Sequence, residues 1–323
     1  MTKPAKTVLH PRPEVVTVEG TVIRSEAGFH RVLIPGGHVI VARAPKRLLL
    51  GERLATTAVV IGDRVKVRER DDGVGVVEEI LPRANELVRG AAGGSHYLDI
   101  IASNLDLLVA VHSFVDPDLV AARLDRFILI GESAEIPVVV CLNKVDLISA
   151  PLAREVAAPY GAAGYETLIT STKTGEGMDA LRSALVGRTS VLAGPSGVGK
   201  SSLLNSIQPG LRLRTAEISE STGKGRHTTT TAELLELDAG GWVADTPGLR
   251  ELAIREVDAI NLDNLFPEFR PFLGGCRFSD CSHLEESGCR ITAAVDEGKI
   301  AAIRYDSYCR VFQQLQEEED KKY

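Results

Sequence analysis

Aromatic side chains are scarce in this sequence of 323 residues, at 8 Phe, 6 Tyr and 1 Trp. Between Glu14 and Arg83 there is one, Phe29, so that stretch shows no run of rings on which successive nucleic-acid bases could stack. Long hydrophobic runs are missing as well. The best, Leu105 to Val115, is broken by Asp106 and His112 and falls short of the roughly 18 apolar residues of a spanning helix, so no membrane association is expected. The opening residues MTKPAKTVLHPRPEVV lack an apolar core of about 7 to 15 residues and a small-residue cleavage site, so no secretory signal is read and a cytoplasmic protein is expected. Cysteine is sparse and odd in number, 5 in all, which argues against a disulfide framework and for free thiols or metal ligands. An excess of positive charge is absent too. Lys and Arg total 37 against 44 Asp and Glu, a net charge of −7, which excludes a protein that coats nucleic acid through a uniform positive field.

What is present is ordinary globular composition, 44% hydrophobic and 25% charged, in a length that predicts about two domains. From Glu14 to about Arg83 short β-rich runs (VVTVEGTVIR, FHRVLI, HVIVARA, TTAVVIGDRVKVRER, GVGVVEEIL) alternate with Gly and Asp turn signals. Five short strands with no helical period predict a small barrel. Residues 1–85 carry 14 Lys and Arg against 10 Asp and Glu, or +4, so the acidity belongs to the rest of the chain. An oligonucleotide-binding barrel and a structural or protein-binding barrel both fit this segment. From about Asn85 apolar strands (LDLLVAVHS, IPVVVCLN, YETLITS, RTSVLAG, GWVAD) alternate with helical stretches at Asp116 to Glu132, Pro151 to Tyr160, Gly177 to Val186 and Gly199 to Ile207, which predicts a mostly parallel sheet. After about Arg250 the strand signal stops and helix is expected from Asp296 onward.

The strongest motif is Gly194-Pro195-Ser196-Gly197-Val198-Gly199-Lys200-Ser201, followed by Ser202, between a strand and an apolar helix. In that setting backbone N–H groups close around phosphates, Lys200 reaches the β- and γ-phosphates and the Ser201 hydroxyl suits Mg²⁺. Downstream, Asp245-Thr246-Pro247-Gly248 ends a strand, where Asp245 suits the Mg²⁺ shell and the Gly248 N–H can sense a γ-phosphate. Between them the polar segment containing Gly225, Arg226, His227, Thr228, Thr229 and Thr230 offers a hydroxyl for Mg²⁺, from Thr229 or Thr230. Upstream, Asn143-Lys144-Val145-Asp146 supplies a carboxylate that can accept two hydrogen bonds from the N1 and N2 edge of guanine, a pattern adenine lacks. Ser171-Thr172-Lys173 ends the next strand and completes the base-holding pair of loops. In an ordinary GTPase the phosphate loop comes first; here the two base loops precede it. The chain thus reads as a circularly permuted GTPase. Near the C-terminus Cys276, Cys281, His283 and Cys289 form C-x4-C-x-H-x5-C, three thiolates and an imidazole suited to one closed, structural, tetrahedral zinc site.

Leading barrel, rotated order of N-K-V-D, G-P-S-G-V-G-K-S, G-R-H-T-T-T and D-T-P-G, and trailing C-x4-C-x-H-x5-C together resemble the bacterial ribosome small subunit-dependent GTPase A family, RsgA or YjeQ, over essentially the whole length. The resemblance implies a multidomain chain: an OB-fold RNA-binding barrel over 1–85, a central α/β permuted GTPase over 86–250 and a mostly helical zinc domain over 251–323. It also implies GTP hydrolysis in late maturation of the small ribosomal subunit, with contact to ribosomal RNA, stimulation by the subunit and release on hydrolysis. The alternative is a GTP-gated RNA-binding checkpoint in which hydrolysis is incidental. A monomer is expected. Leu249 stands where many GTPases place a glutamine that orients water, so slow intrinsic turnover is expected. His227 is a candidate for orienting or deprotonating that water; contact with RNA, or with its own loop, is the other reading.

Overall fold

In the computed structural model the described residues are 16–45, 48, 59–70, 73–90, 98–211, 231–246, 252 and 259–320. The predicted barrel is β1 (Val18–Glu26), β2 (Phe29–Leu33), β3 (Val39–Arg43), β4 (Arg64–Arg68) and β5 (Gly75–Ile80). The strands run in the order β1-β2-β3-β5-β4, and β4 pairs back onto β1, which closes the OB-type barrel. Alternation builds it. Phe29, Arg31, Val39, Val41 and Arg43 point outward while Val22, Val32, Ile40, Ala42, Val65, Val67 and Val77 fill the interior.

A two-stranded ribbon, β6 (Glu86–Gly90) and β7 (Leu98–Ser103), leads out of the barrel. The sequence reading does not resolve this ribbon, because its strands are short and form a sheet of their own, joined to the rest only by single bridges from Ala102 to Ile61 and from Arg89 to Leu252 among the described residues. The central layer follows as β8 (Leu107–Ser113), α1 (Ala121–Ser133), β9 (Val138–Asn143), α2 (Ala150–Ala162), β10 (Glu166–Thr170), α3 (Met178–Leu185), β11 (Thr189–Ala193), α4 (Lys200–Ile207), β12 (Ala232–Glu236) and β13 (Trp242–Asp245). Its order is β10-β9-β8-β11-β13-β12, parallel except for β12, so the strand feeding the phosphate loop lies mid-sheet. All seven residues of β8 are buried, as an apolar strand covered on both faces requires. Helix α1 starts five residues later than expected, at Ala121. Asp116 takes φ 52°, outside the helical region, and the chain turns through Leu119, whose N–H donates to Phe114 O at 3.1 Å.

Two joints tie the barrel to this layer. At the first, Asp63, fully buried, accepts two bonds from the Arg83 guanidinium at 2.7 and 2.8 Å, one from the Ser103 hydroxyl at 2.6 Å and one from the Val60 N–H at 2.9 Å. Breaking such a satisfied buried pair costs about 3–5 kcal/mol. At the second, the end of β1 pairs antiparallel with β12, Arg24 opposite Glu233 and Ser25 opposite Ala232, so barrel and central layer form one 11-stranded sheet.

Beyond residue 259 lie two 3-10 turns and the helices α5 (Arg290–Asp296) and α6 (Ala302–Asp320); α6 is the helix expected from Asp296 onward, begun later at Ala302, and α5 precedes it. The scarce aromatics concentrate here. Phe266 and Phe269 stack at 5.1 Å and Tyr308 packs on Phe269 at 5.0 Å. Leu129 of α1 belongs to the same core, and fully buried Arg304 of α6 pairs with Asp125 of α1 and, at 2.7 Å, with Glu268. The C-terminal module is therefore docked on α1 through both apolar and ionic contacts. No described helix is long and apolar enough to cross a membrane.

Candidate functional site

The two base loops and the phosphate loop leave the same edge of the central sheet, at the C-terminal ends of β9, β10 and β11. Gly194, at the end of β11, lies so near β8 that a Cβ there would sit 2.1 Å from the Val111 carbonyl oxygen. Gly199 takes φ 97°, and a Cβ there would fall 2.4 Å from the Asn143 Nδ2. These two glycines let the loop turn tightly and let α4 begin at Lys200 against the base loop. Val198 is buried beneath the loop, whereas Ser196 and Gly197 are exposed. Lys200 Nζ donates to the carbonyls of Gly194 and Pro195 at 2.8 and 2.7 Å, so the ammonium lies across the mouth of the loop. Ser201 and Ser202 occupy the first turn of α4.

Asn143 is the link between the loops. Its amide Nδ2 donates to the Val198 carbonyl at 2.9 Å, and its Oδ1 accepts from the Thr170 hydroxyl at 3.2 Å. Lys144 sits in the left-handed region at φ 65° and its ammonium reaches the Asp116 carbonyl and, at 3.6 Å, the Asp116 carboxylate. Val145 is buried and anchors the turn. Asp146 accepts from the Ser171 hydroxyl at 2.6 Å, with the Lys173 ammonium 3.7 Å from its other oxygen. The Ser171 bond, reinforced by Lys173, holds the Asp146 carboxyl below the usual carboxylate range. An ionised acceptor is what a guanine N1–H and N2–H pair needs. Thr172 and Lys173 are exposed around it.

Asp245 ends β13, beside β11, and the neighbouring Thr246 hydroxyl is buried with no hydrogen-bond partner. An orphaned hydroxyl next to a carboxylate is a pair of hard oxygen donors of the kind that fits Mg²⁺, to which the Ser201 hydroxyl in the first turn of α4 is the third donor the motif offers. His227, Thr229, Thr230 and Gly248 lie outside the described residues.

The Cys276, Cys281, His283 and Cys289 ligand atoms all lie within 4.8 Å of one another. Cys276 Sγ is 3.9 Å from Cys289 Sγ, and His283 Nδ1 is 3.6 Å from the former and 3.4 Å from the latter. A tetrahedral zinc with ordinary bond lengths requires S···S edges of about 3.8 Å and S···N edges of about 3.6 Å, so the four residues fit one such ion. Backbone N–H groups support the thiolates: Arg290 N–H donates to Cys276 Sγ at 3.3 Å. At Cys289, burial raises the thiol, but the Thr292 N–H and His283 bring it down to about 7.

The residues that steer these ligands were not evident from the motif. Asp263 Oδ2 lies 3.2 Å from His283 Nε2, so an Nε2–H donating to it leaves the Nδ1 lone pair for metal. Glu286 caps the loop, accepting from the Ser282 and Leu284 N–H groups at 2.7 and 3.0 Å. Those bonds outweigh burial and draw its carboxyl down to about 2. Tyr305 and Tyr308 donate their hydroxyls to the carbonyls of His283 and Ser282, each at 2.8 Å. A helical pair Tyr305 and Tyr308, three apart, was the available signal for the last of these.

The RsgA GTPase family model matches residues 80–255. The small ribosomal subunit biogenesis GTPase RsgA of Gemmatimonas aurantiaca is 40% identical over 92% of this chain and 97% of its own length. Its counterpart from Caldanaerobacter subterraneus subsp. tengcongensis is 39% identical over 95% and 98%. Among solved structures, YjeQ from Thermotoga maritima superposes with a TM-score of 0.76 at 33% identity, covering 93% of this chain and 99% of that one. YloQ, described as a circularly permuted GTPase, gives 0.72 at 30%, covering 96% and 99%. With a permuted motif order, a closed five-stranded barrel in front and a Cys3His cluster behind, all within full-length similarity of this kind, the chain belongs to the RsgA GTPase family.

Proposed function

We propose that this chain binds GTP in the pocket between Asp146 and Lys200, hydrolyses it to GDP and phosphate, and acts as a late assembly factor of the small ribosomal subunit. The contact that carries the nucleotide reading is the Asn143 bridge, which fixes the base loop to the phosphate loop although the chain meets them in reverse order. Asn143, Lys144, Val145 and Asp146, with Ser171, Thr172 and Lys173, hold the guanine. Gly194 through Ser202 hold the phosphates by N–H groups and the Lys200 ammonium. Ser201, Asp245 and Thr229 or Thr230 would hold Mg²⁺, which neutralises charge on the β- and γ-phosphates when bound. Gly248 senses the γ-phosphate and His227 orients the attacking water in place of the glutamine that Leu249 replaces. The Cys3His cluster holds one structural Zn²⁺.

The functional divisions are 1–85 for RNA binding, 86–250 for GTP and 251–323 for zinc. The protein works in the cytoplasm as a monomer, contacts ribosomal RNA and leaves the subunit after hydrolysis. GTPase rates with and without purified small subunits test all of this together. Strong stimulation by small, but not large, subunits is expected; equal rates in all three conditions refute the partner. A variant that binds but does not hydrolyse GTP should accumulate on subunits. Normal release would favour the checkpoint reading, in which hydrolysis is incidental.

A further inference from the structure

A groove of about 540 Å³ runs between the Cys3His loop and α6, lined by Ser282, Leu284, Glu285, Glu286, Cys309 and Gln313. That size falls in the range of about 300–1,000 Å³ over which protein pockets take up small groups. Both walls are held before anything enters. On the loop side Glu286 accepts from the Ser282 and Leu284 N–H groups, and the Tyr305 hydroxyl donates to the His283 and Leu284 carbonyls. On the helix side buried Tyr308 ties α6 to the Ser282 carbonyl. Walls fixed in this way lose little further order when a ligand arrives. The floor is apolar, formed by Leu284 and the Cys309 thiol, both packed against the C-terminal core. Burial raises that thiol, and the Asp306 charge one turn back along α6 adds to it, so Cys309 stays uncharged. The rim is acidic. Glu285 and Asp306 are exposed, and no cation pairs with either among the described residues. Glu286 remains ionised, although the N–H groups of Ser282, Leu284 and Glu285 and the Ser282 hydroxyl occupy its oxygens. No lysine or arginine lines the groove, and Arg310, which follows Cys309, is not among the lining residues.

An apolar floor under an acidic rim suits a side chain that is hydrocarbon along its stem and cationic at its tip. The stem of a lysine or arginine would lie over Leu284 and Cys309, with its charge at Glu285 and Asp306. The exposed Gln313 amide offers a donor and an acceptor to the backbone of an extended segment. Other macromolecules fit this face less well. Nucleic-acid phosphates would meet the carboxylates of Glu285, Glu286 and Asp306, and residues 251–323 carry 9 Lys and Arg against 15 Asp and Glu, or −6. A second copy of this chain, at a net charge of −7, would bring mostly like charge. We propose that the groove between the Cys3His loop and α6 binds an extended, lysine- or arginine-bearing segment of a partner protein. This goes beyond the nucleotide and RNA reading, and both of those stand if it fails.

The test uses the full, zinc-loaded chain and a fluorescent peptide of alternating lysine and valine, with a peptide of alternating glutamate and valine and a single-stranded RNA for comparison. Anisotropy should show saturable binding of the basic peptide alone, weakened by about five-fold or more between about 50 and 300 mM salt. Glu285→Lys combined with Asp306→Lys should weaken it by about ten-fold or more, whereas Glu155→Lys, at an exposed carboxylate on α2, should leave it unchanged. Alkylation of the thiol placed by Gln313→Cys, followed by mass spectrometry, should slow by about five-fold or more at saturating peptide. Zinc content and basal GTPase should be the same in every variant. No saturable binding up to about 1 mM peptide overturns the inference. Equal binding by the double variant, or an unprotected Gln313→Cys thiol, does so too. RNA that displaces the peptide, or self-association in sedimentation that the double variant abolishes, also overturns it by giving the groove another occupant. Subunit-stimulated GTPase of wild type tests the broader reading separately, so the two can fail independently.

Discussion

Replacing Asn143 with alanine isolates the bridge between the loops. The side chain is 1% exposed and makes two hydrogen bonds, so its removal leaves the Val198 carbonyl and the Thr170 hydroxyl without it. Thr170 can turn toward Cys141 Sγ, already 3.4 Å away, and so recover part of its loss. The Val198 carbonyl, inside the phosphate loop, has no such recourse in the contacts described. One orphaned buried acceptor costs about 1–3 kcal/mol, and the small cavity beside Gly199 adds to that, for a total of about 2–4 kcal/mol. If that energy is expressed as loss of loop order, GDP and GTP affinities both fall by about 30- to several hundred-fold, since about 1.4 kcal/mol is ten-fold. Fluorescent-nucleotide titration measures this, with urea unfolding run in parallel. The fall should be the same for guanine and xanthine nucleotides, because Asn143 holds the base by fixing the two loops to each other and not by reading the N1 and N2 edge, which falls to Asp146. Affinity within three-fold of wild type, or a loss confined to guanine nucleotides, would refute the reasoning.

Asp146→Asn removes the acceptor for the guanine edge, and losing two charge-assisted bonds should weaken GTP by about 3 kcal/mol or more while xanthosine triphosphate gains, as competition binding would reveal; an unchanged preference ends the base-reading role. His227→Ala should cut subunit-stimulated turnover by about 100-fold or more at normal subunit affinity, and unaltered turnover would remove His227 from catalysis. Cys281→Ser should bring zinc from one equivalent per chain toward none and collapse the near-ultraviolet circular dichroism of the C-terminal tyrosines; full zinc content in elemental analysis would contradict the four-ligand site. Arg304→Met strands Asp125 and Glu268, and urea denaturation should register about 3–5 kcal/mol of lost stability, against less than 1 kcal/mol if the interface is loosely packed.

That the loops after β9, β10 and β11 meet at one edge of the sheet was legible because each is a local string whose turn chemistry depends on neighbours in sequence. The same holds for the Cys/His cluster and for the alternating strands of the barrel. What escaped notice depends on partners far along the chain. Asp263 and His283 are 20 residues apart, Asp125 and Arg304 are 179 apart, and neither pair leaves a periodic trace. β12 was missed although Leu234 and Leu235 sit in a polar stretch, because its pattern is completed by β13 on one side and the barrel on the other. Charge totals misled in the opposite direction: +4 over residues 1–85 says nothing of which cations are already spoken for. Pairing, visible only in the fold, neutralises Arg24, Arg64, Lys66, Arg68 and Arg83 among the described residues.

The junction of β1 with β12 has a consequence for solubility. β12 is the outermost strand of the nucleotide-binding sheet, and the barrel covers only its first residues, Ala232 and Glu233. An uncovered strand edge is a template for pairing with another copy, and a short overlap that shields part of it limits that risk. The barrel thus serves as a cap on the central sheet, and the GTPase core cut free of it would carry an open edge prone to self-association.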